Sequence, residues 1–190
     1  MSKTVAIIIG VLIAIVAICG GFYITTQNSI VSLEERASSE LANIGVQLER
    51  RADLIPNLVS TVKGFVAHED EVIKQITDAR EKIVNAQGVE EMSAANQQLT
   101  SALNSLNVIV ENYPELKSSE NFINLQDELA GTENRISTAR KDYNDAVKAY
   151  NTKIKMFPSS IIAGMMNKEE LKYFEVEESK TEVPTVNFGE

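Results

Sequence analysis

The chain contains 190 residues, with 18 basic and 27 acidic side chains and a formal net charge of −9 at pH 7. Proteins that bind nucleic acid need a positively charged surface, so this composition argues against nucleic acid as a partner. Cys19 is the only cysteine, which excludes a disulfide bond within the chain. Composition therefore narrows the classes of partner without indicating a reaction.

The first predicted element is a membrane anchor at residues 5–24, preceded by a short flank at residues 1–4. Its sequence, VAIIIGVLIAIVAICGGFYI, has no charged side chain. As a helix it spans roughly 30 Å, the thickness of a bilayer's hydrocarbon core. A cleaved signal peptide would have a shorter apolar core and a small-residue cleavage site. A lipoprotein signal would need a small residue where Ile18 precedes Cys19, so a retained single-pass anchor is predicted.

The flanking charges indicate the orientation of this anchor. Lys3 and the amino terminus carry the positive charge on the short side, whereas Arg36 is the only basic residue near the span on the long side. Positive residues favour the cytoplasmic side. The sequence therefore favours an extracytoplasmic body.

Small residues recur along one helical face of the span. Because such residues let two helices approach closely, this face is a candidate for self-association in the membrane. Its members are Ala6, Gly10, Ala14, Ala17 and Gly21.

Residues 27–157 have the apolar periodicity of long amphipathic helices. No segment alternates with period two, so no sheet is predicted. The expected fold class is all-α: a transmembrane helix followed by an up-and-down antiparallel four-helix bundle with long helices and coiled-coil-like packing. Pro56 predicts a kink or break in the first helix. Gly131 predicts either a close helix approach or a division of the fourth helix. The apolar stripes are at 30–66, 72–83, 92–113 and 122–154.

Residues 158–190 are predicted to form an apolar cap segment and an extended tail, whose final ten residues are expected to be mobile. Pro158 is expected to start a short helical turn that contains four large apolar residues. These side chains either cap an end of the bundle or form an exposed surface that faces a membrane or a partner. They are Ile161, Ile162, Met165 and Met166.

The sequence gives little indication of a catalytic or metal-binding site. His68 is the only histidine, and the adjacent residues Glu69–Glu71 point in different directions on a helix, so they do not form a metal site. No catalytic, metal or cofactor site is predicted. Charged residues cluster between Glu49 and Asp53, just before Pro56, and the bland role for them is a set of ion pairs, for example with Glu133 or Glu128. The functional role is a docking site, and the segment around Pro56 is the candidate interaction patch. Its residues are Arg50, Arg51, Asp53, Pro56 and Asn57.

Several segments together resemble the LemA family. They include RRADLIPNLVSTVKGFVAHE at 50–69, ENYPELKSSENFINLQDELAGTENRISTARKDYNDAVKAYN at 111–151, FPSSIIAGMM at 157–166 and YFEVEESKTEVPTVNF at 173–188. The resemblance implies a mostly bacterial membrane protein with one N-terminal span and four helices, and it implies no catalytic residue set. It departs at Ser38 and Ser39, where many members have a tryptophan. The family's usual topology, with a cytoplasmic body, conflicts with the charge of Lys3.

The expected function is that of a non-enzymatic, membrane-tethered scaffold or interaction module at the bacterial cell envelope, whose partner is another envelope protein or a second copy of the chain. One alternative is an accessory subunit of a membrane enzyme such as a peptidase, which would need Glu69, Glu133 or His68 to line a pocket. The other is a membrane-sensing bundle that acts through residues 159–166.

Overall fold

The computed structural model describes residues 3–66 and 69–175. The described chain is helical and contains no strand, as the periodicity predicts. His68 and the final residues of the tail lie outside the described residues. The helices are α1 (Lys3–Lys63), α2 (Asp70–Asn85), α3 (Gly88–Val110), α4 (Pro114–Lys117), α5 (Glu120–Lys155) and α6 (Ser159–Met165).

The four predicted helical stretches correspond to α1, α2, α3 and α5, and the predicted turn of helix after Pro158 corresponds to α6. The short helix α4 was not predicted. Of the two alternatives at Pro56, the break is wrong, because α1 continues through this proline to Lys63, and the kink stays a prediction. The alternative division at Gly131 is also wrong, since α5 is continuous. The span and the start of the body belong to the same helix.

The chain divides into two compact units. Unit 1 comprises the described residues up to Arg50 together with Leu129–Tyr173, and therefore includes parts of α1 and α5 and all of α6. Its buried residues recur at helical spacing, as the apolar stripes predict. In α1 and α5 they include Ile30, Ala37, Ile44, Leu48, Leu129, Ile136, Tyr143, Val147 and Tyr150.

Unit 2 comprises the described parts of Arg51–Glu128 together with Phe174 and Glu175. It contains the end of α1, the start of α5 and the helices α2, α3 and α4, with α2 packed against α3. Its core is aliphatic apart from Phe122 and Phe174. The fully buried members include Ile55, Leu58, Ile76, Leu99, Leu106 and Leu116. The four-helix arrangement and the domain boundaries stay predictions.

Gly131 is a destabilising residue that the fold does not require. A methyl group added there would meet no heavy atom within 4 Å among the described neighbours, so the expected close helix approach is wrong. We expect Gly131→Ala to raise the free energy of unfolding by about 0.5–1 kcal/mol, because alanine favours the helix and restricts the unfolded backbone. Urea unfolding of the full chain in detergent micelles, followed by circular dichroism, measures this change.

Gly88→Ala is the matched control for this substitution. Gly88 also has open space around it, but its φ of +76° disfavours any residue with a side chain. The same substitution should therefore destabilise the protein at Gly88. A loss of stability in both variants would contradict the expectation for Gly131.

Candidate functional site

The predicted interaction patch divides into exposed and buried members. Arg50, Asp53, Pro56 and Asn57 are exposed on α1, whereas Arg51 is only 4% exposed. Arg51 therefore belongs to the interior, and the side chains that a partner can reach are the other four. The role of this patch in binding stays a prediction.

Arg51 takes part in a buried polar network within unit 2. Its Nη1 donates to Oδ1 of Asn96 at 2.6 Å and to Oγ1 of Thr100 at 3.1 Å. Asn96 is itself 3% exposed. Buried polar groups are tolerated when they are hydrogen-bonded, and charged donors form the stronger bonds. The bonds to α3 give Arg51 a structural role, and the predicted ion pairs with Glu133 or Glu128 stay predictions.

A second arginine explains why α1 continues through Pro56. Proline has no N–H group, so the carbonyl of Ala52 lacks the bond that residue 56 would normally donate. Arg80 of α2 supplies this bond, with its Nε 3.2 Å from the Ala52 oxygen. Ala52 is completely buried, and an unsatisfied buried carbonyl would be costly. Sequence spacing cannot show this contact, because 28 residues separate the partners.

Asn57 lines an open cleft of about 550 Å³ on the surface of unit 2. The walls come from the end of α1 and the start of α5, and they carry amide and hydroxyl groups with one carboxylate. Such groups can donate and accept hydrogen bonds without a strong requirement for a charged ligand. The remaining lining residues are Leu54, Ser60, Thr61, Asn121, Asn124, Leu125 and Glu128.

The small-residue face of the span, which is the candidate for self-association, is exposed: this holds for every member whose side chain is described. Gly10, Ala14, Ala17 and Gly21 are exposed, and the side chain of Ala6 lies outside the description. Added methyl groups at Gly10 and Gly21 would meet nothing within 4 Å. Self-association through this face stays a prediction. Among the described residues, α1 is the one helix long and apolar enough to cross a membrane.

The four apolar residues around α6 separate into two pairs. Ile162 is buried and Met166 packs against the same core cluster, which also includes Ile30, Tyr150 and Ile154. Ile161 and Met165, in contrast, are 58% and 67% exposed. One pair therefore packs inside unit 1, while the other remains available for contact.

The segment after α6 is attached to α5 by two buried side chains, which sequence reasoning missed. Asn151 accepts a bond from the Leu171 N–H and donates to the Leu171 carbonyl, both at 2.9 Å. Tyr143 donates its hydroxyl to the Lys172 carbonyl at 2.8 Å. Further along the segment, Ser93 donates to the Glu175 carbonyl within unit 2. Asn and Tyr on the buried face of an amphipathic helix were the available sequence signal.

Three titratable groups near this segment hold their protons more tightly than usual. Burial raises the pKa of Tyr143 above its ordinary value of 10.0. Burial also raises the pKa of Tyr150, and the carboxylate of Glu34 adds to the increase. Lys168 donates a hydrogen bond to Glu34, which raises the pKa of the lysine above 10.5. At neutral pH Tyr143 therefore remains a donor and Lys168 remains a cation.

Two of the three candidates for chemistry, Glu69 and Glu133, are among the described residues, and each has a partner. The hydroxyl of Tyr113 lies 3.4 Å from Oε1 of Glu69, a long contact for a hydrogen bond. Glu133 forms an ion pair with Arg140 at 3.5 Å. Within the described ranges 3–66 and 69–175, no group of three or more His, Cys, Asp or Glu residues is arranged to hold a metal ion.

Comparison with characterised proteins identifies relatives over most of the chain. Magnetosome protein MamQ 2 of Paramagnetospirillum magneticum is 26% identical over 174 residues, which cover 78% of this chain and 64% of the relative. Magnetosome protein MamQ of Magnetospirillum gryphiswaldense is 25% identical, with 80% and 67% covered. Protein LemA of Metamycoplasma hominis is 23% identical, with 82% and 72% covered. The chain thus spans less than two thirds of the first relative's length.

The model of the LemA family matches residues 40–188. The matched region contains the exposed patch residues, the buried Arg51 network and the segment that Asn151 attaches to α5, while the whole apolar span precedes it. The resemblance of the sequence segments is therefore confirmed across most of the chain. The chain belongs to the LemA family.

Proposed function

We propose that this chain is a single-pass membrane protein whose helical body acts as a non-enzymatic interaction module at the bacterial cell envelope. The observation that carries the proposal is a change in burial along α1. The side chains described between Thr4 and Phe22 are all exposed, whereas Thr26 is 3% exposed and Ile30 is completely buried. A long apolar surface without protein contacts is explained by lipid around the span.

The free energy of transfer supports a stable anchor. Each large aliphatic side chain contributes about 1.5–3 kcal/mol when it moves from water to an apolar environment. The span carries a dense series of such side chains, with Ile7, Ile13 and Val16 each more than 60% exposed. Their combined transfer would keep the protein in the membrane without a lipid modification.

The body is proposed to be an up-and-down four-helix bundle formed by the helical stretches of α1, α2, α3 and α5. The periodic burial in each of these helices supports that arrangement. The body is proposed to lie outside the cytoplasm, on the basis of the charge of Lys3. A second copy of the chain or another envelope protein is the proposed partner, and nucleic acid is not.

Cell fractionation and a reporter fusion test the anchor and its orientation. We expect the full chain to stay in the membrane pellet after alkaline carbonate washing and to retain its first residues by intact mass. A reporter that is active only outside the cytoplasm, fused after Glu190, should be active. Release of a shortened chain into the soluble fraction would overturn the anchor, and an inactive reporter with an active cytoplasmic counterpart would reverse the orientation.

The cleft that Asn57 lines is the proposed contact surface of the body. Its amide and hydroxyl groups, which line the cleft together with two leucines and the carboxylate of Glu128, suit a protein surface rich in backbone and amide groups. The buried Arg51 is unsuitable for testing this contact, since its replacement would disturb the interior. A photocrosslinking residue at position 57 should give a defined crosslinked product in intact cells.

Val108 provides the matched control for crosslinking, because it is 72% exposed in the same unit and lies outside this cleft. The same crosslinking residue at position 108 should not give the product formed at position 57. Identical products at both positions, or no product at position 57, would count against the cleft as the contact surface.

A further inference from the structure

Four large apolar side chains are exposed around the turn that joins α5 to α6. Phe157 is 81% exposed, and the other three are between 57% and 67% exposed: Met156, Ile161 and Met165. None of the four carries a charge. A concentration of exposed apolar side chains in a short segment marks a contact surface for protein or lipid.

The packing of α6 places this segment beside the end of the span. Ile162 and Ala163, on the buried side of α6, share a core cluster with Ile30 of α1. Tyr23, the penultimate residue of the apolar run, packs against the same cluster. The exposed side chains of α6 are therefore attached to a core that reaches the span itself.

The dimensions match the interfacial layer of a bilayer. Ile30 lies seven positions after Tyr23, which corresponds to about 10 Å along a helix. The headgroup region adds roughly 5–8 Å beyond the hydrocarbon core on each side. A cluster that begins at Tyr23 and extends to Ile30 thus starts at the edge of the hydrocarbon core and extends through the headgroup layer to its outer boundary when residues 5–24 cross the membrane.

The residue types also fit this depth. Segments that insert into the interfacial layer carry large apolar side chains such as Phe and Leu on the face that enters the bilayer, and the exposed set includes Phe157. The adjacent charges are largely balanced, because Lys155 pairs with Glu170 and Lys168 pairs with Glu34. Apolar insertion rather than attraction to anionic lipid is therefore the expected mode of binding.

We propose that Met156, Phe157, Ile161 and Met165 form a second membrane contact, which inserts into the interfacial layer of the bilayer that the span crosses. This inference rests on the proposed anchor and adds a second point of attachment for unit 1. Two points of attachment would fix the orientation of α1 relative to the membrane, whereas a span alone leaves the helix free to tilt.

Lipid quenching of single fluorescent labels tests this contact in the full chain. The protein is reconstituted into phosphatidylcholine vesicles that contain a lipid with a nitroxide near its headgroup. Cys19 is replaced by alanine, and one cysteine is introduced as Phe157→Cys, Met165→Cys or Val46→Cys. Each of the first two variants keeps the other three exposed apolar side chains.

Val46 is the matched control, since it is 59% exposed in the same unit. It lies 22 residues beyond Ile24 on α1, which is about 33 Å along the helix. We expect labels at 157 and 165 to be quenched at least about twofold more than the label at 46. Circular dichroism of each labelled variant verifies that its helical content is unchanged.

A label on the natural Cys19 separates the two proposals, because this residue is exposed within the span. Quenching at Cys19 combined with weak, Val46-like quenching at both 157 and 165 would overturn the second contact and leave the anchor intact. Such a result would assign the apolar segment to a protein partner. Absence of lipid quenching at Cys19 would instead overturn the anchor.

Discussion

Replacing Pro56 with alanine is expected to make Arg80 largely dispensable for stability. Pro56→Ala restores an N–H group that can donate to the Ala52 carbonyl within α1. In the natural chain Arg80 supplies that bond at 3.2 Å, and Arg80→Met should lower the free energy of unfolding by about 1–3 kcal/mol. In the Pro56→Ala background the same substitution should cost less than half as much. A double-mutant cycle, measured by urea unfolding in detergent micelles, gives the coupling energy.

Pro56→Ala alone should stabilise the protein, by up to about 3 kcal/mol for removal of a proline from a helix interior. Lys74→Met is the matched control for Arg80→Met, because it removes a positive charge from an exposed position of the same helix. Its effect should be small and equal in both backgrounds. If Arg80→Met costs the same with proline and with alanine at position 56, Arg80 does not replace the missing amide bond.

The outcome at Pro56 shows where sequence reasoning about helices reaches its limit. The missing amide follows directly from the proline, and it leaves the Ala52 carbonyl without its usual donor within the helix. The predicted break is wrong because the compensating donor belongs to a different helix, 28 residues away. Local rules show that proline removes a hydrogen bond from the helix, whereas tertiary contacts determine whether the helix ends there.

Most helices are predictable because their apolar residues recur every three or four positions. Ile30, Ala37 and Ile44 are predicted to be buried, and each is at most 1% exposed. Such periodicity indicates which side of a helix faces the core, but it does not indicate which other helix packs against that side. The transmembrane span is also predictable from its composition, since an uncharged apolar run of this length has few other structural interpretations.

The candidate patch was less predictable, because polar residues on a helix have two possible environments. Arg51 and Arg50 are adjacent and chemically identical, yet Arg51 is buried and Arg50 is exposed. Arg51 follows the buried stripe of Leu48 and Ile55 at a spacing of three and four. The spacing alone would predict that Arg51 is buried, whereas a charged side chain is usually exposed.

The C-terminal segment depends strongly on one side chain of α5, which forms two of the hydrogen bonds that attach the segment to this helix. Asn151 is 5% exposed and uses its amide oxygen and nitrogen to pair with the N–H and carbonyl of Leu171. This resembles the pairing between neighbouring β-strands, with a side-chain amide in place of a strand. Removing the amide would leave both backbone groups unsatisfied in a part-buried position.

Asn151→Leu is expected to detach the segment locally, at a cost of about 2–4 kcal/mol for two lost hydrogen bonds and the unsatisfied groups that remain. Since each 1.4 kcal/mol corresponds to a factor of about ten in an equilibrium constant, the open state should become at least roughly tenfold more populated. Trypsin cleavage after Lys168 and Lys172 reports this opening. Tyr143→Phe removes a single bond and should accelerate cleavage less.

Thr152→Ala is the matched control for Asn151→Leu, because Thr152 is the exposed neighbour on the same helix. Its cleavage rate should equal that of the natural chain. Cleavage after exposed lysines of α2 measures general unfolding, and it should stay constant in Asn151→Leu if the opening is local. Equal acceleration at both places would show that Asn151 stabilises the whole fold. An unchanged rate after Lys168 and Lys172 would show that the segment is held mainly by Tyr143 and by the Lys168–Glu34 ion pair.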